Sequence, residues 1–446
     1  MSDAPWAGRR LHFIGIGGAG MSGLALVARG LGAQVTGSDR VDGPYCERLR
    51  EAGIEPEIGH HAGHLAPGAD VVVSTAIADD NPELEAARAV GARVMHRGEL
   101  LAEVSRLKRC LAVAGTHGKT TTASMVAHAL VATGRRPAYL IGGEVRSTGA
   151  NASWGQGDWI VVEADESDRS FLLLRPEVAA ITNVELDHHA TYRTLAEVEQ
   201  AFADFAGPVP VVIGPVGLEL PAVPPGVTFG VESGALAARD VDLRELGSRF
   251  QVEGVPVELS VPGRHNVLNA LAALAACREV GLPLQEAARA LASFSGAGRR
   301  FEPHGRSTSG ALVYDDYAHH PTEVRATLEA ARTLNAERLI ACFQPHLYSR
   351  TQHMARDFGR ALALADLVVV LDVYPARERA DDFPGVSGYL VAAATADAAH
   401  GRPVHWLPKL DDAERFLRGE LREGDVLLTL GAGNVDELAR RLGDAG

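Results

Sequence analysis

The stretch "CLAVAGTHGKTTTASMVAHAL", residues 110–130, sets the class of fold. An apolar strand leads into a glycine-containing loop, and the loop leads into an alanine-rich helix. This strand–loop–helix order is the setting of a phosphate-binding P-loop, in which Gly118 permits close backbone approach and Lys119 reaches the β- and γ-phosphates. The Thr120 hydroxyl can bind Mg²⁺. The strict pattern needs glycine where this chain has Val113, so the sequence predicts ATP binding by the shorter Gly-Thr-x-Gly-Lys-Thr variant.

A second glycine loop, "IGIGGAGMSG" at 14–23, also lies between a predicted strand and a predicted helix. Gly15, Gly17 and Gly20 form the spacing G-x-G-x-x-G, and Asp39 follows the next predicted strand. Such glycines admit a pyrophosphate to a helix N-terminus, and the acid accepts a ribose hydroxyl. The pattern specifies a pyrophosphate and a sugar diol. A nicotinamide dinucleotide and a UDP-sugar are therefore both open on these residues.

Two acidic segments follow apolar strands downstream of the P-loop. The segment "VEADESDRSF" (162–171) contains Glu163, and the segment "TNVELDHHATY" (182–192) contains Asp187 and His188. In parallel α/β sheets, ligands lie beyond the carboxyl ends of the strands, so both segments are expected near the phosphates. Carboxylate oxygens suit Mg²⁺ that bridges phosphate groups.

Strand and helix patterns alternate along most of the 446 residues, which predicts α/β domains with parallel sheets. Three series of predicted strands indicate three domains, at 1–106, 107–297 and 298–446. The middle series is followed by a segment rich in Pro, Gly and Val, residues 215–260, which is expected to form an antiparallel patch.

Composition excludes several classes of function. The net charge of −14 argues against generic binding to nucleic acid or to anionic membranes, both of which need a basic surface. No apolar run approaches the roughly 20 residues that a membrane-spanning helix needs. The N-terminal sequence lacks the layout of a signal peptide. The four cysteines are far apart in sequence, which favours a reducing cytoplasm over a disulfide framework.

Taken together, these motifs resemble the Mur ligase family, the ATP-dependent amino-acid ligases of peptidoglycan assembly. The resemblance extends from "HFIGIGGAGMSGLA" (12–25) to "LTLGAGNVDEL" (428–438). Between them lie further motifs in the family order: "PGRHNVLNALAA" (262–273), "GRRFEPHG" (298–305), "DDYAHHPTE" (315–323), "QPHLYSRT" (344–351), "DVYPARE" (372–378) and "PGVSG" (384–388). The resemblance implies a Rossmann-like N-terminal domain for a UDP-sugar, a P-loop central ATPase domain and a Rossmann-like C-terminal domain for an amino acid.

The resemblance also assigns ligands by motif position. ATP would be held by Gly115, Thr116, His117, Gly118, Lys119, Thr120, Thr121, His265, Asn269 and Asp316. The UDP-sugar would be held by Gly17, Gly18, Ala19, Gly20, Met21, Ser22, Asp39, Ser74, Thr75 and Ala76. The Mg²⁺ ligands would be Thr120, Glu163 and His188. The catalytic residues would be Lys119, His188, Arg300, His346 and Arg350, with Tyr317 also near the amino acid.

The implied reaction is the ATP-dependent ligation of L-alanine to the lactyl carboxylate of UDP-N-acetylmuramate through an acyl phosphate. The alanine-adding branch is favoured because residues 120–407 contain no lysine, whereas some members of the family use a carbamylated lysine and the alanine-adding branch does not. His346, His319 and His320 are all open as the base that deprotonates the amine. Relatives often have Arg where this chain has Leu347.

Three rival functions remain: a recycling ligase that attaches a whole peptide, a nicotinamide-dependent oxidoreductase, and a non-catalytic nucleotide-binding relative. The sequence is compatible with either a monomer or a homodimer as the oligomeric state.

Overall fold

The computed structural model describes residues 4–443, which form two compact units. The first unit contains the chain up to Val184 together with Val198–Phe229 and Ala272–Ala290. The second contains Glu185–Glu197, Gly230–Leu271 and the chain from Leu291 onward.

The first sheet of the first unit is parallel throughout, with the strand order β3-β2-β1-β4-β5. Its strands are β1 (Arg10–Ile14), β2 (Gln34–Asp39), β3 (Glu57–Ile58), β4 (Asp70–Val73) and β5 (Val94–His96). The connecting helices are α1 (Ala19–Gly30), α2 (Pro44–Glu51), α3 (Pro82–Ala89) and α4 (Arg97–Ser105). Because consecutive parallel strands need crossover helices, the first glycine loop lies at the carboxyl edge of this sheet.

The P-loop strand lies inside a second sheet of the first unit, in the order β12-β11-β10-β6-β9-β7-β8. These strands are β6 (Arg109–Ala114), β7 (Ala138–Val145), β8 (Ala150–Ser153), β9 (Trp159–Glu163), β10 (Val178–Ile181), β11 (Val211–Pro215) and β12 (Val227–Val231). All pairings in this series are parallel except β7 with β8. The following helices are α5 (Lys119–Ala132) and α6 (Leu195–Ala206). The residues of β6 from Cys110 to Ala114 are buried, as expected for a central parallel strand.

The second unit contains an antiparallel meander of β13 (Leu236–Arg244), β14 (Gly247–Val252) and β15 (Val255–Leu259). The antiparallel patch predicted within residues 215–260 is thereby confirmed for β13 to β15, whereas β12, in the same segment, pairs in parallel with β11. The chain continues with α7 (Arg264–Glu279) and α8 (Leu284–Leu291).

A third sheet, also in the second unit, has the order β16-β17-β21-β18-β19-β20. Its strands are β16 (Glu302–Arg306), β17 (Leu312–Asp316), β18 (Arg338–Phe343), β19 (Leu367–Val370), β20 (Val404–Trp406) and β21 (Asp425–Leu430). Its helices are α9 (Pro321–Arg332), α10 (Tyr348–Leu362), α11 (Gly388–Ala398), α12 (Leu410–Glu420) and α13 (Asp436–Gly443). The pairings are parallel apart from the edge strand β16, and apolar clusters cover both faces.

The predicted α/β class with parallel sheets is confirmed, and the three sheets correspond to the three predicted series of strands. The exact boundaries near 106 and 297 stay a prediction. Cys46, Cys110, Cys277 and Cys342 are all buried free thiols. Among residues 4–443, no helix combines the length and the apolar character needed to cross a bilayer.

Candidate functional site

The P-loop turns between β6 and α5 through two glycines with positive φ. Gly115 has φ +133°, and a Cβ there would lie 2.0 Å from the Thr182 Oγ1 atom. Gly118 has φ +79° and caps the N-terminus of α5. Only glycine adopts such angles without strain, and it lets the backbone amides approach a phosphate at the helix N-terminus.

Lys119 lies at the first turn of α5, and its ammonium group contacts the loop and one acid. Its Nζ atom donates to the carbonyl oxygens of Gly115 (2.5 Å) and Thr116 (3.1 Å) and to Glu166 Oε1 (3.0 Å). Burial alone would lower the pKa of Lys119, but the carboxylates of Glu166 and Asp165 outweigh it and raise the pKa. Lys119 is therefore a fixed cation at neutral pH.

Thr120 and Glu163 bring two hard oxygen ligands together beside Lys119. The Thr120 Oγ1 atom lies 3.0 Å from Glu163 Oε1, and the Gly142 amide donates to Glu163 Oε2 at 2.7 Å. A threonine hydroxyl and a carboxylate at the head of a helix form a donor set that suits Mg²⁺. These two residues therefore fit the predicted metal site.

The other acids of the 162–171 segment have different partners. Arg97 donates through Nη2 to Asp165 Oδ2 (2.7 Å) and to Asp168 Oδ2 (3.2 Å), and Glu166 pairs with Lys119. Arg97 and the loop acids thus form a charge network that holds this segment. No feature of the sequence singled out Arg97, because it lies 68 residues before Asp165.

Asn183 also supports the P-loop, although the sequence motifs did not predict a role for it. Its carbonyl oxygen accepts from the Thr116 amide at 3.1 Å, and its Oδ1 atom accepts from the His117 amide at 2.9 Å. Thr121 is buried in the first turn of α5. The predicted ATP residues from Gly115 to Thr121 therefore form one continuous loop and helix turn.

The first glycine loop joins β1 to α1, and its acid faces the loop. The Gly17 amide donates to Asp39 Oδ2 at 2.8 Å, and the Val41 amide donates to Asp39 Oδ1 at 3.1 Å. A Cβ on Gly17 would lie 2.8 Å from the Cys46 Sγ atom. Asp39 therefore orients the loop in addition to its predicted role as a ribose acceptor.

The remaining predicted UDP-sugar residues lie at the same sheet edge. The first turn of α1 and the residues before it supply Gly18, Ala19, Gly20, Met21 and Ser22. Ser74, Thr75 and Ala76 follow β4, the parallel neighbour of β1. A Cβ on Gly15 would contact Ile77 Cδ1 at 3.1 Å, so the two loops are adjacent.

A buried acid lies behind the first loop. Glu83 is 0% exposed, and it accepts hydrogen bonds from His12 Nε2 (3.0 Å), Ser38 Oγ (2.6 Å), the His61 amide (3.0 Å) and His64 Nδ1 (3.0 Å). Burial raises the pKa of Glu83, but these donors, led by His12, outweigh it and lower the pKa to about 2. Three separate segments, namely β1, β2 and residues 61–64, are thereby tied to one carboxylate.

In the second unit, Arg350 and Asp187 form a buried two-point ion pair. Arg350 Nε lies 2.9 Å from Asp187 Oδ1, and Nη2 lies 3.1 Å from Oδ2. Both side chains are 3% exposed. Burial opposes ionisation of Asp187, but Arg350 and His188 hold its pKa well below the ordinary value. The predicted ligand His188 follows directly, with φ +54°.

An aromatic cluster surrounds His346 in the same unit. Its ring stacks on Tyr374 at 5.9 Å between centroids, and it meets His319 edge-on at 5.9 Å. Tyr317 contacts His319 in turn at 5.2 Å. Burial lowers the pKa of His346 to about 2, with further contributions from His319 and Arg350. The predicted amino-acid residues Tyr317, His346 and Arg350 are therefore neighbours.

Leu347, where relatives often have Arg, is the N-cap residue of α10, the helix that carries Arg350. Leu347 has φ +70° and is buried. A non-glycine residue in this region of backbone space is uncommon and marks local strain.

The predicted adenine, ribose and phosphoryl residues also lie in the second unit. Burial lowers the pKa of His265 to about 4, and the nearby Arg300 adds to this effect. Asn269 donates through Nδ2 to Asn266 Oδ1 at 3.1 Å. Asp316 accepts from the Phe301 and Ala318 amides, each at 2.8 Å, and burial raises its pKa to about 6 against the opposing charge of Arg300.

Comparison with known proteins identifies a family. The description "Mur ligase family, catalytic domain" matches residues 10–109, "Mur ligase middle domain" matches 113–277, and "Mur ligase, glutamate ligase domain" matches 299–433. UDP-N-acetylmuramate–L-alanine ligase of Acidithiobacillus ferrooxidans is 46% identical over 97% of this chain and 96% of its own length.

Two solved structures are similar over nearly the whole chain. UDP-N-acetylmuramate–alanine ligase of Thermotoga maritima has a TM-score of 0.84 at 32% identity, with 97% of each chain covered. Murein peptide ligase of Psychrobacter arcticus has a TM-score of 0.71 at 27% identity, with 98% of each chain covered.

Proposed function

Because this chain belongs to the Mur ligase family, we propose that it joins L-alanine to the lactyl carboxylate of UDP-N-acetylmuramate and converts ATP to ADP and phosphate. This would be a step of peptidoglycan precursor synthesis. The observation that carries the proposal is the convergence of Lys119, Thr120 and Glu163 at a P-loop. The relatives that share the whole length of the chain supply the choice of substrates.

The proposal assigns the residues of the first unit to the two nucleotides. Residues 115–121 hold the phosphates of ATP, with Lys119 as the fixed cation. The first glycine loop, Asp39 and residues 74–76 hold the UDP-sugar. Membership of the Mur ligase family supports UDP over nicotinamide as the ligand of that loop. Thr120 and Glu163 hold Mg²⁺, which neutralises phosphate charge when bound. His188 is assigned as a further metal ligand from its motif position.

The residues of the second unit are assigned to the rest of ATP and to alanine. His265 and Asn269 would contact adenine, and Asp316 would accept from the ribose. Arg300 would stabilise the transferring phosphoryl group, and Arg350 with His346 would orient alanine. The Arg350 guanidinium is held by two hydrogen bonds to Asp187, so it keeps its position when a substrate carboxylate approaches it.

The chemical route is an acyl phosphate followed by amide formation. A lactyl carboxylate oxygen attacks the γ-phosphorus of ATP, the bond to the β-phosphate oxygen breaks, and ADP leaves. This step activates a carboxylate that is otherwise a poor acyl donor at neutral pH. Lys119 stabilises the charge that moves onto the transferring oxygens. The amine of alanine then attacks the acyl carbon, and phosphate leaves.

Domain limits and a cellular location follow from the same function. We assign the UDP-sugar domain to 1–106, the ATP domain to 107–297 and the amino-acid domain to 298–446, and the segments matched by the three family models support these limits. A reaction that consumes ATP and a chain with buried free thiols both favour the cytoplasm. A monomer and a homodimer are both compatible with this assignment.

Phosphate release with ATP and UDP-N-acetylmuramate, scanned over amino acids and over the alanyl tripeptide, tests the proposal. L-alanine is expected to give the largest kcat/KM. Greater activity with the tripeptide would instead support the recycling ligase. A change in nicotinamide absorbance during turnover would support the oxidoreductase. Absence of release with every acceptor would support a non-catalytic protein.

A further inference from the structure

Amide formation requires a base, and three histidines of the second unit are candidates: His319, His320 and His346. A neutral imidazole has one N–H donor and one acceptor nitrogen, and the hydrogen-bond partner determines which nitrogen carries the proton. Only a ring whose acceptor nitrogen is available to the substrate can take a proton from it.

The acceptor nitrogen of His346 is occupied. Arg350 Nη1 lies 3.3 Å from His346 Nδ1, and a guanidinium can only donate. His346 Nδ1 is therefore the acceptor, and Nε2 carries the hydrogen. Asp187 accepts from the other two nitrogens of Arg350, Nε and Nη2, and so holds the guanidinium in this position. The Nε2–H group of His346 can donate to a substrate oxygen, but the ring has no available lone pair with which to accept a proton.

The acceptor nitrogen of His320 is also occupied. The Thr322 amide donates to His320 Nδ1 at 3.3 Å, as the N-terminal cap of α9. A backbone amide is a donor only, so His320 carries its hydrogen on Nε2. Its lone pair stabilises the helix and is not available to the substrate.

His319 has the opposite arrangement. Its Nδ1 atom lies 2.9 Å from the Tyr317 carbonyl oxygen, which can only accept, so Nδ1 carries the hydrogen and Nε2 holds the lone pair. The side chain is 17% exposed. Within residues 4–443, no protein donor bonds to this Nε2 atom. The ionisable groups around the ring are Glu323, Arg350, Asp187, His346 and Tyr317.

We propose that His319 is the general base of amide formation, a role that rests on the proposed function and completes it. Alanine loses its first ammonium proton to solvent. As the amine nitrogen bonds to the acyl carbon, the carbonyl electron pair moves onto oxygen. That pair returns as the carbon–oxygen bond to phosphate breaks, and His319 Nε2 accepts the second proton from nitrogen.

The protonation state of His319 agrees with this role. Burial lowers its pKa to about 4, Glu323 opposes this shift, and the Arg350 charge adds to it. The ring is therefore neutral at pH 7 and can accept a proton as the amine becomes acidic during attack.

The test separates the two chemical steps in the full-length protein. Trapping with hydroxylamine, without alanine, measures acyl-phosphate formation as hydroxamate, and alanine-dependent phosphate release measures the whole reaction. The variant is His319→Asn, because an amide N–H replaces the donor to Tyr317 while the basic nitrogen is lost. The matched control is His353→Asn, because His353 Nδ1 also lies against a backbone carbonyl, that of Ser349, at 2.7 Å, and the residue is exposed.

The expected result is that His319→Asn forms hydroxamate at the wild-type rate, while kcat with alanine falls by about 100- to 10,000-fold. The remaining rate should rise with pH, because more alanine is then unprotonated. His353→Asn should match the wild type in both assays.

An unchanged alanine kcat in His319→Asn, an equal loss of hydroxamate, or the same loss in His353→Asn would each overturn the assignment of the base. If the wild type itself formed no hydroxamate from ATP and UDP-N-acetylmuramate, the proposed function would fail instead.

Discussion

Both glycine loops of the first unit follow a buried parallel strand and precede a helix, but only the second places a cation within its loop. The P-loop holds Lys119 against its own carbonyl oxygens and Glu166. The first loop uses backbone amides, and its acid, Asp39, is bound by the Gly17 amide. Backbone dipoles are enough to bind a diphosphate that does not react, whereas transfer of a phosphoryl group needs charge that is already in position.

The substitution with the largest expected effect on this comparison is Lys119→Ala. Loss of the fixed cation should lower ADP release by roughly a thousandfold or more, because the transferring oxygens lose their charge partner. Steady-state release of ADP with both substrates measures the effect. Lys409→Ala is the control, because Lys409 lies outside the site at the start of α12. Near-normal turnover in Lys119→Ala would show that the two loops do not differ in this way.

A second test compares one glycine from each loop. Gly115→Ala should destabilise the first unit by at least about 2 kcal/mol, because its φ is +133° and the new Cβ would lie 2.0 Å from Thr182 Oγ1. Gly20→Ala should fold normally, because its nearest neighbour, Arg97 Nη1, is 3.5 Å away and the residue lies in α1. Urea unfolding measures both variants, and equal losses would contradict the distinction.

A third test concerns the buried charge behind the first loop. Replacement of Glu83 by Gln should lower the free energy of unfolding by about 3 kcal/mol at neutral pH, the equivalent of the fall in its pKa from 4.5 to about 2. A carboxylate whose pKa is lowered on folding stabilises the protein above its unfolded pKa. The difference between wild type and variant should therefore shrink as the pH falls from about 4.5 to about 2. A difference that does not vary with pH would mean that shape, not charge, is the contribution of Glu83.

The smallest expected effect is that of Asp39→Asn. The amide oxygen can still accept from the Gly17 amide, so the loop should keep its structure and the stability should change little. The KM for the UDP-sugar should rise by about tenfold or less, because one acceptor for the ribose is weakened. An effect as large as that of Lys119→Ala would indicate that charge matters equally in the two loops.

Much of the fold was predictable because it depends on local patterns. The apolar strand before Gly115 and the strand–helix alternation gave the parallel sheets, and the broken pattern at 215–260 gave the antiparallel meander. Strands β3, β8, β16 and β20 were not predicted. The segments of β8 and β16, "ANAS" and "EPHGR", lack a strand pattern, and edge strands need little apolar surface.

The candidate site was predictable where its residues are contiguous in sequence. The P-loop with Lys119 and Thr120 is one segment, whereas Asp187 and Arg350 are 163 residues apart and pair only in the folded chain. The contacts of Glu83 come from three segments that are distant from it in sequence, so its burial has no signature in the sequence. The choice among the three histidines likewise depended on the donor or acceptor that each Nδ1 atom contacts: the Arg350 side chain, the Thr322 amide or the Tyr317 carbonyl oxygen. The two acidic segments fall in different units, so their joint approach to the phosphates stays a prediction.

The four buried thiols have a practical consequence for studying motion in this protein. Burial raises the pKa of Cys110, Cys277 and Cys342 to about 12 and also raises that of Cys46, so the reactive thiolate form is suppressed at all four positions. A cysteine introduced at an exposed position should therefore react with maleimide dyes against a silent background. Pairs of fluorescent labels could then report distances during turnover without removal of any native cysteine.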